Sequence, residues 1–129
     1  MTTTTDWVSE LFADARELYA DALEMLAQSR LRNAAEKAWC ATKRSTDAMV
    51  LARTGREPQS GGGARRALLR MRNDGPEFVA FHGEYSIRSE LLHINCFYDG
   101  NCEPEADMTA LIRATDLYIQ DAINLAAAE

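Results

Sequence analysis

The strongest constraint on this chain is the recurrence of apolar residues at intervals of three and four, broken only where glycines and prolines gather. From Asp6 onward, Trp7, Val8, Leu11, Phe12, Ala15, Leu18, Tyr19, Ala22 and Leu26 keep that interval, which lays them on one face of a helix. Thr5 or Asp6 is available as its N-cap. After a pause at 29–33, Ala34, Ala38, Ala41, Ser45, Ala48 and Ala52 trace a stripe of small side chains up to Gly55, with Trp39 and Met49 beside it. Small side chains let a neighbouring helix approach closely.

The run Arg-Glu-Pro-Gln-Ser-Gly-Gly-Gly at 56–63 reads as a connector. It lacks the Gly-Lys-Ser/Thr ending of a phosphate-cradling loop and follows no strand. A short helix is predicted over 64–72, stopped by Asn73-Asp74-Gly75. Pro76, at a first helical position, opens a helix that runs to Tyr98 and ends at Asp99-Gly100. Pro104 repeats the device before a last helix carrying Met108, Leu111, Ile112, Thr115, Tyr118, Ile119, Ala122 and Ile123. No useful stretch alternates with a period of two. The expected fold is all-α, an up-and-down four-helix bundle with one additional short helix.

A chain of 129 residues suits one domain, read as a disordered tail at 1–5 and a single helical domain at 6–129. The opening Met-Thr-Thr-Thr-Thr has no basic region and leads into no apolar run, so no secretory signal is expected. Nor is a membrane span. Three cysteines, Cys40, Cys96 and Cys102, are an odd number that suggests free thiols in the cytoplasm. The formal charge of −6 argues against general nucleic-acid binding, which depends on neutralising phosphates. Yet Arg53, Arg56, Arg65, Arg66, Arg70 and Arg72 share a stretch with a single acid, Glu57. That stretch is either a solvated helix face or an RNA-facing patch.

Arg88-Ser89-Glu90-Leu91-Leu92-His93 is the candidate chemical motif. Histidine can exchange a proton near neutral pH, and arginine can hold a phosphate through its planar fork of donors. Metal-free RNA cleavage requires a proton taken from the 2′-hydroxyl, a proton given to the leaving 5′-oxygen, and stabilisation of the developing charge. One chain supplies one histidine in the motif, and residues five apart in an α-helix are rotated by roughly 140°. Packing this helix against its own copy across a two-fold axis gathers two imidazoles and two guanidinium groups, so a homodimer is expected. The competing reading pairs Arg88 with Glu84 one turn earlier and makes His93 a half-buried core histidine. Zinc is not expected: His93, Cys96 and Cys102 lack a fourth ligand, and His82 stands roughly 16 Å away along the helix. No cofactor is expected.

The second-helix text Asn33-Ala34-Ala35-Glu36-Lys37-Ala38-Trp39-Cys40-Ala41-Thr42-Lys43, followed by Arg88 to His93 and Ile94-Asn95-Cys96-Phe97-Tyr98, resembles the HEPN family. The resemblance covers about 14–118. It implies a dimerising helical bundle and a metal-independent endoribonuclease of toxin or defence type, with Arg88 stabilising phosphate and His93 moving protons. It also implies RNA or a nucleotide as ligand, and a nucleotidyltransferase-type antitoxin as a partner. Ser89, Asn95, Tyr98, Arg65 and Arg66 are the expected binding residues. Ser89 stands where many active members carry Asn, Asp or His, and Asn95 stands where toxin members carry Tyr, with Tyr98 one turn further on. The alternative is a non-catalytic HEPN module that binds a nucleotide or a partner protein.

Overall fold

The computed structural model describes residues 3–129, all of its regular structure being helical. Helix α1 spans Thr4–Ala27 and α2 spans Leu31–Thr54. The N-cap of α1 is Thr3 rather than Thr5 or Asp6: its hydroxyl accepts from the Asp6 amide while the Asp6 carboxylate accepts from the Thr3 amide. This reciprocal pair satisfies two amides that the first turn leaves open, so the helix begins earlier than the apolar pattern does. Of the tail expected at 1–5, Met1 and Thr2 lie outside the described residues, and the rest is cap and first turn.

The α1–α2 turn places Ser29 in the left-handed region at φ 58°. The two helices then run back along one another, with Ala34, Ala38, Ala41, Ser45 and Ala48 fully buried. Ala52, counted in the same stripe, is exposed. Helix α2 is the centre of the molecule, because α1 and helical segments later in the chain pack against it.

Helix α3 spans Gly61–Met71, so the glycine triplet is its first turn and not a connector. Ser60 decides this: its hydroxyl accepts from the Gly63 amide at 3.0 Å, and the Tyr85 hydroxyl donates to the Gly61 carbonyl at 3.2 Å. A 3₁₀ turn over Arg72–Asp74 and Gly75, at φ 152°, then redirect the chain into α4, Pro76–Arg88. As expected, helical structure continues to Tyr98, but over Ser89–Tyr98 it is wound as a π-helix. The Asp99 amide, for instance, bonds the Ile94 carbonyl five residues back at 2.9 Å.

The last predicted helix is two: α5, Glu105–Arg113, with Pro104 at the N-cap rather than the first helical position, and α6, Thr115–Ala127. The break at Ala114 frees carbonyls that side chains occupy. Arg88 donates to the Leu111 carbonyl at 3.1 Å, and Tyr19 to that of Arg113 at 2.9 Å. Cys96 and Cys102 are joined as a disulfide, contrary to the expectation of free thiols, and Cys40 is the free cysteine. Disulfides occur in oxidising compartments and in intracellular proteins of hyperthermophilic archaea alike, so cysteine usage no longer argues for the cytoplasm. No helix among the described residues is long and apolar enough to cross a membrane.

Candidate functional site

The π segment changes the geometry of the motif. In an α-helix Arg88 and His93 point apart, but hydrogen bonds from residue i to i+5 widen the turn and bring residues five apart toward the same side. Both side chains accordingly reach α2. Arg88 Nη1 meets Thr42 Oγ1 at 3.4 Å, and His93 Nδ1 meets Glu36 Oε1 at 2.8 Å. The expectation that the two residues share no face is corrected by this winding.

Their environments differ sharply. Arg88 is 1% exposed. Its Nε donates to Glu84 Oε1 at 3.2 Å, its Nη1 also to Thr115 Oγ1 at 2.9 Å, and its Nη2 to the Leu111 carbonyl, while the guanidinium lies 5.2 Å from the Tyr118 ring centre. Burial pulls its pKa down from the ordinary arginine value, and the Glu84 carboxylate opposes that shift. A guanidinium with its acceptors already supplied by α2, α4, α5 and α6 is a fastener, not an open phosphate fork. The pairing with Glu84 foreseen from the sequence exists, but on the Arg88 side it is buried rather than superficial.

His93 is partly open, its side chain 29% exposed. The ring stacks on Trp39 at 5.5 Å and meets Tyr98 edge-on at 5.2 Å. A carboxylate accepts only, so the Nδ1–H donates to Glu36 Oε1, and Nε2 is left without a protein partner among the described residues. An acid so placed fixes the tautomer and plane of the imidazole.

Of the expected binding residues, Ser89 is buried at the start of the π segment and accepts from Arg65 Nη2 at 3.1 Å, so α3 delivers an otherwise exposed cation to the motif. Tyr98 is 67% exposed beside His93. Asn95 is half-buried, with its carbonyl taken by the Asn101 amide. Arg66 is not brought to the motif; its guanidinium lies over the glycine turn of its own helix. The arginine-rich stretch does not stay together either. Arg53 caps the end of α6 through the carbonyls of Leu125 and Ala128, and Arg72 meets His82 Nδ1 at 3.1 Å. Beside this cation His82 is held below the usual imidazole range, by burial first and by Arg72 second. No group of three His, Cys, Asp or Glu among the described residues is placed to hold a metal, and the disulfide removes both thiolates from the zinc arrangement considered above.

Sequence reasoning missed Glu36, Trp39 and Arg32. The first lies 57 positions before His93 in the chain, beyond any local spacing rule. Arg32, one turn before Glu36, donates to the Phe97 and Tyr98 carbonyls and so secures the end of the π segment. A groove of about 700 Å³ between α4 and α6 has Phe81 and Tyr118 in its wall, Arg88 beneath, and Glu77, Glu84 and Asp121 around it. A family model described as the archaeal PaREP1/PaREP8 family matches residues 10–117. No curated protein and no solved structure matches the chain.

Proposed function

The chain belongs to the archaeal PaREP1/PaREP8 family, and we propose that it is a HEPN-like, metal-independent endoribonuclease whose active site is completed by a second copy of itself. The observation that carries this reading is the His93–Glu36 pair: a partly exposed imidazole with one nitrogen fixed by a carboxylate and the other open. Nε2 of one His93 takes the proton of the 2′-hydroxyl as that oxygen attacks phosphorus. The imidazolium of the partner's His93 protonates the departing 5′-oxygen, leaving a 2′,3′-cyclic phosphate. Arg65, hydrogen-bonded to Ser89, is the cation this reading assigns to the phosphate, while Arg88 holds α2, α5 and α6 around the π segment.

The solvent side of α4 and the π segment supports self-association. Ile87, Leu91, Ile94 and Tyr98 are 47%, 37%, 46% and 67% exposed. They are also symmetric about the Leu92–His93 peptide: turned end over end, Ile87 falls opposite Tyr98 and Leu91 opposite Ile94. An isologous interface needs such a self-complementary set, and Tyr98, whose ring meets His93 edge-on at 5.2 Å, carries it to the edge of the imidazole. Val79 continues the apolar face, and Gly83 offers open space for a close approach.

Purified protein incubated with single-stranded RNA in EDTA should cleave it, and His93→Ala should lower the rate by at least about 10²-fold. An unchanged rate in that variant refutes the assignment. The burial of Arg88 favours one other reading, a non-catalytic HEPN module that binds a nucleotide or a partner protein, such as a nucleotidyltransferase-type antitoxin. It predicts saturable binding and no cleavage.

A further inference from the structure

Helix α3 packs along α4, and two arginines of the basic stretch come to rest on the seam between them. Arg65 donates through Nη2 to Ser89 Oγ at 3.1 Å, and Arg72, at the C-cap of α3, donates through Nη1 to His82 Nδ1 at 3.1 Å. Arg72 follows Arg65 by seven positions and Ser89 follows His82 by seven, so the two contacts stand roughly 10 Å apart along an antiparallel pair of helices. Leu69, 58% exposed, projects from the same face of α3 between the two arginines.

Each contact leaves donors over. Both arginines are exposed, and Nε and the second amino nitrogen of each have no partner among the described residues. Arginine only donates, so His82 Nδ1 accepts and the ring carries its proton on Nε2, which is likewise without a partner among the described residues. Burial first, then Arg72 and Arg65, hold this imidazole below its usual range, in keeping with a neutral ring. No carboxylate among the described residues lies within ion-pair distance of Arg65 or Arg72. Residues 58–73 include four arginines and no acid, so the formal charge of −6 resides elsewhere in the chain.

We propose that this seam is a backbone track for single-stranded RNA, with Arg65 holding one phosphate and Arg72 with His82 Nε2–H holding another further from His93. The choice of RNA rests on the ribonuclease reading; the two phosphate positions rest on the seam. A phosphodiester offers the protein acceptors, and the groups left open at both contacts are donors. Ser89 and His82 each take one amino group of a guanidinium and so fix its direction. Leu69 gives the sugar or base between the phosphates an apolar surface. Because Ser89 belongs to the Arg88–His93 motif, the track is continuous with the candidate site.

A fluorescent 2′-O-methyl RNA oligonucleotide, which lacks the attacking hydroxyl, reads binding apart from cleavage. Its anisotropy is titrated with the full-length protein between about 50 and 200 mM salt, where each phosphate neutralised on a single strand contributes about 0.7 to the slope of log affinity against log salt. Arg72→Ala should flatten that slope by about 0.7 and weaken binding about fivefold near 0.1 M salt. Arg70→Ala, the same charge change on the side of α3 turned from the seam, should leave the slope nearly as it is. His82→Ala should weaken binding without changing the slope, since a neutral ring gives up a hydrogen bond and no charge. Absence of binding by the parent, an unaltered slope in Arg72→Ala, or equal flattening in Arg72→Ala and Arg70→Ala overturns the track. Displacement by poly-glutamate as readily as by unlabelled oligonucleotide at equal charge also overturns it, in favour of an acidic protein partner. Any of these results beside His93-dependent cleavage removes the track and leaves the reaction standing; the expected slopes without cleavage remove the reaction and leave a strand-binding seam.

Discussion

Arg88 and His93 stand five positions apart, and their surroundings give them different work. Replacing Arg88 by Ala strips donors from Thr42, Thr115 and the Leu111 carbonyl and empties a buried volume, so the expected loss of stability in urea unfolding is ~3 kcal/mol or more. His93→Ala, at a partly open position, should change the midpoint far less; equal losses in the two variants would contradict this division of roles. Asp47, buried on α2 with no hydrogen-bond partner for Oδ1 among the described residues, provides a test against pH. Its folded carboxyl lies above the ordinary 3.8, so the stability it contributes is complete below that value and is lost as pH rises through the folded value. Asp47→Asn should therefore be more stable than the parent at pH 7 and lose that advantage in acid, as chemical denaturation at the two pH values will show. The Arg88–Glu84 pair was legible in the sequence because it is local. The Glu36 partner of His93 and the unmatched oxygen of Asp47 were not, because tertiary packing creates both.

Among the elements, the helix from Pro76 to Tyr98 was readable at both ends, where Pro76 presets the first φ and Asp99-Gly100 stops the periodicity. Its π winding was not, since buried Arg88, Ser89, Leu92 and Cys96 fit a spacing that an α-helix also satisfies. Nothing in the local sequence explains why this stretch winds as it does. The glycine turn of α3 departs from the expected connector for a plainer reason: three glycines disfavour helix intrinsically, and the Ser60 cap together with the Tyr85 contact overrides them. Ser60→Ala should cost about 1 kcal/mol and raise amide hydrogen exchange in the first turn of α3 while leaving α2 protected. Unaltered exchange there would mean that the cap is not what holds the turn.

At the scale of the molecule, the all-helical class followed from the periodicity, whereas the break at Ala114 and the Cys96–Cys102 pairing did not, because each is fixed by partners distant in sequence or by a loop conformation. Among the described residues, the apolar side chains of Ile87, Leu91, Ile94 and Tyr98 are left largely exposed. Ile94→Glu should yield a folded monomer by sedimentation, since the position is already half-open; a variant that remains dimeric would place the interface elsewhere. A shared active site ties His93 to that interface. Its most direct test is the rate of RNA cleavage in EDTA, measured against protein concentration for the parent chain and for His93→Ala. The rate per chain should climb as dimers form and vanish in the variant. A rate per chain independent of concentration across the dimerisation range, or one that survives the loss of His93, would contradict it.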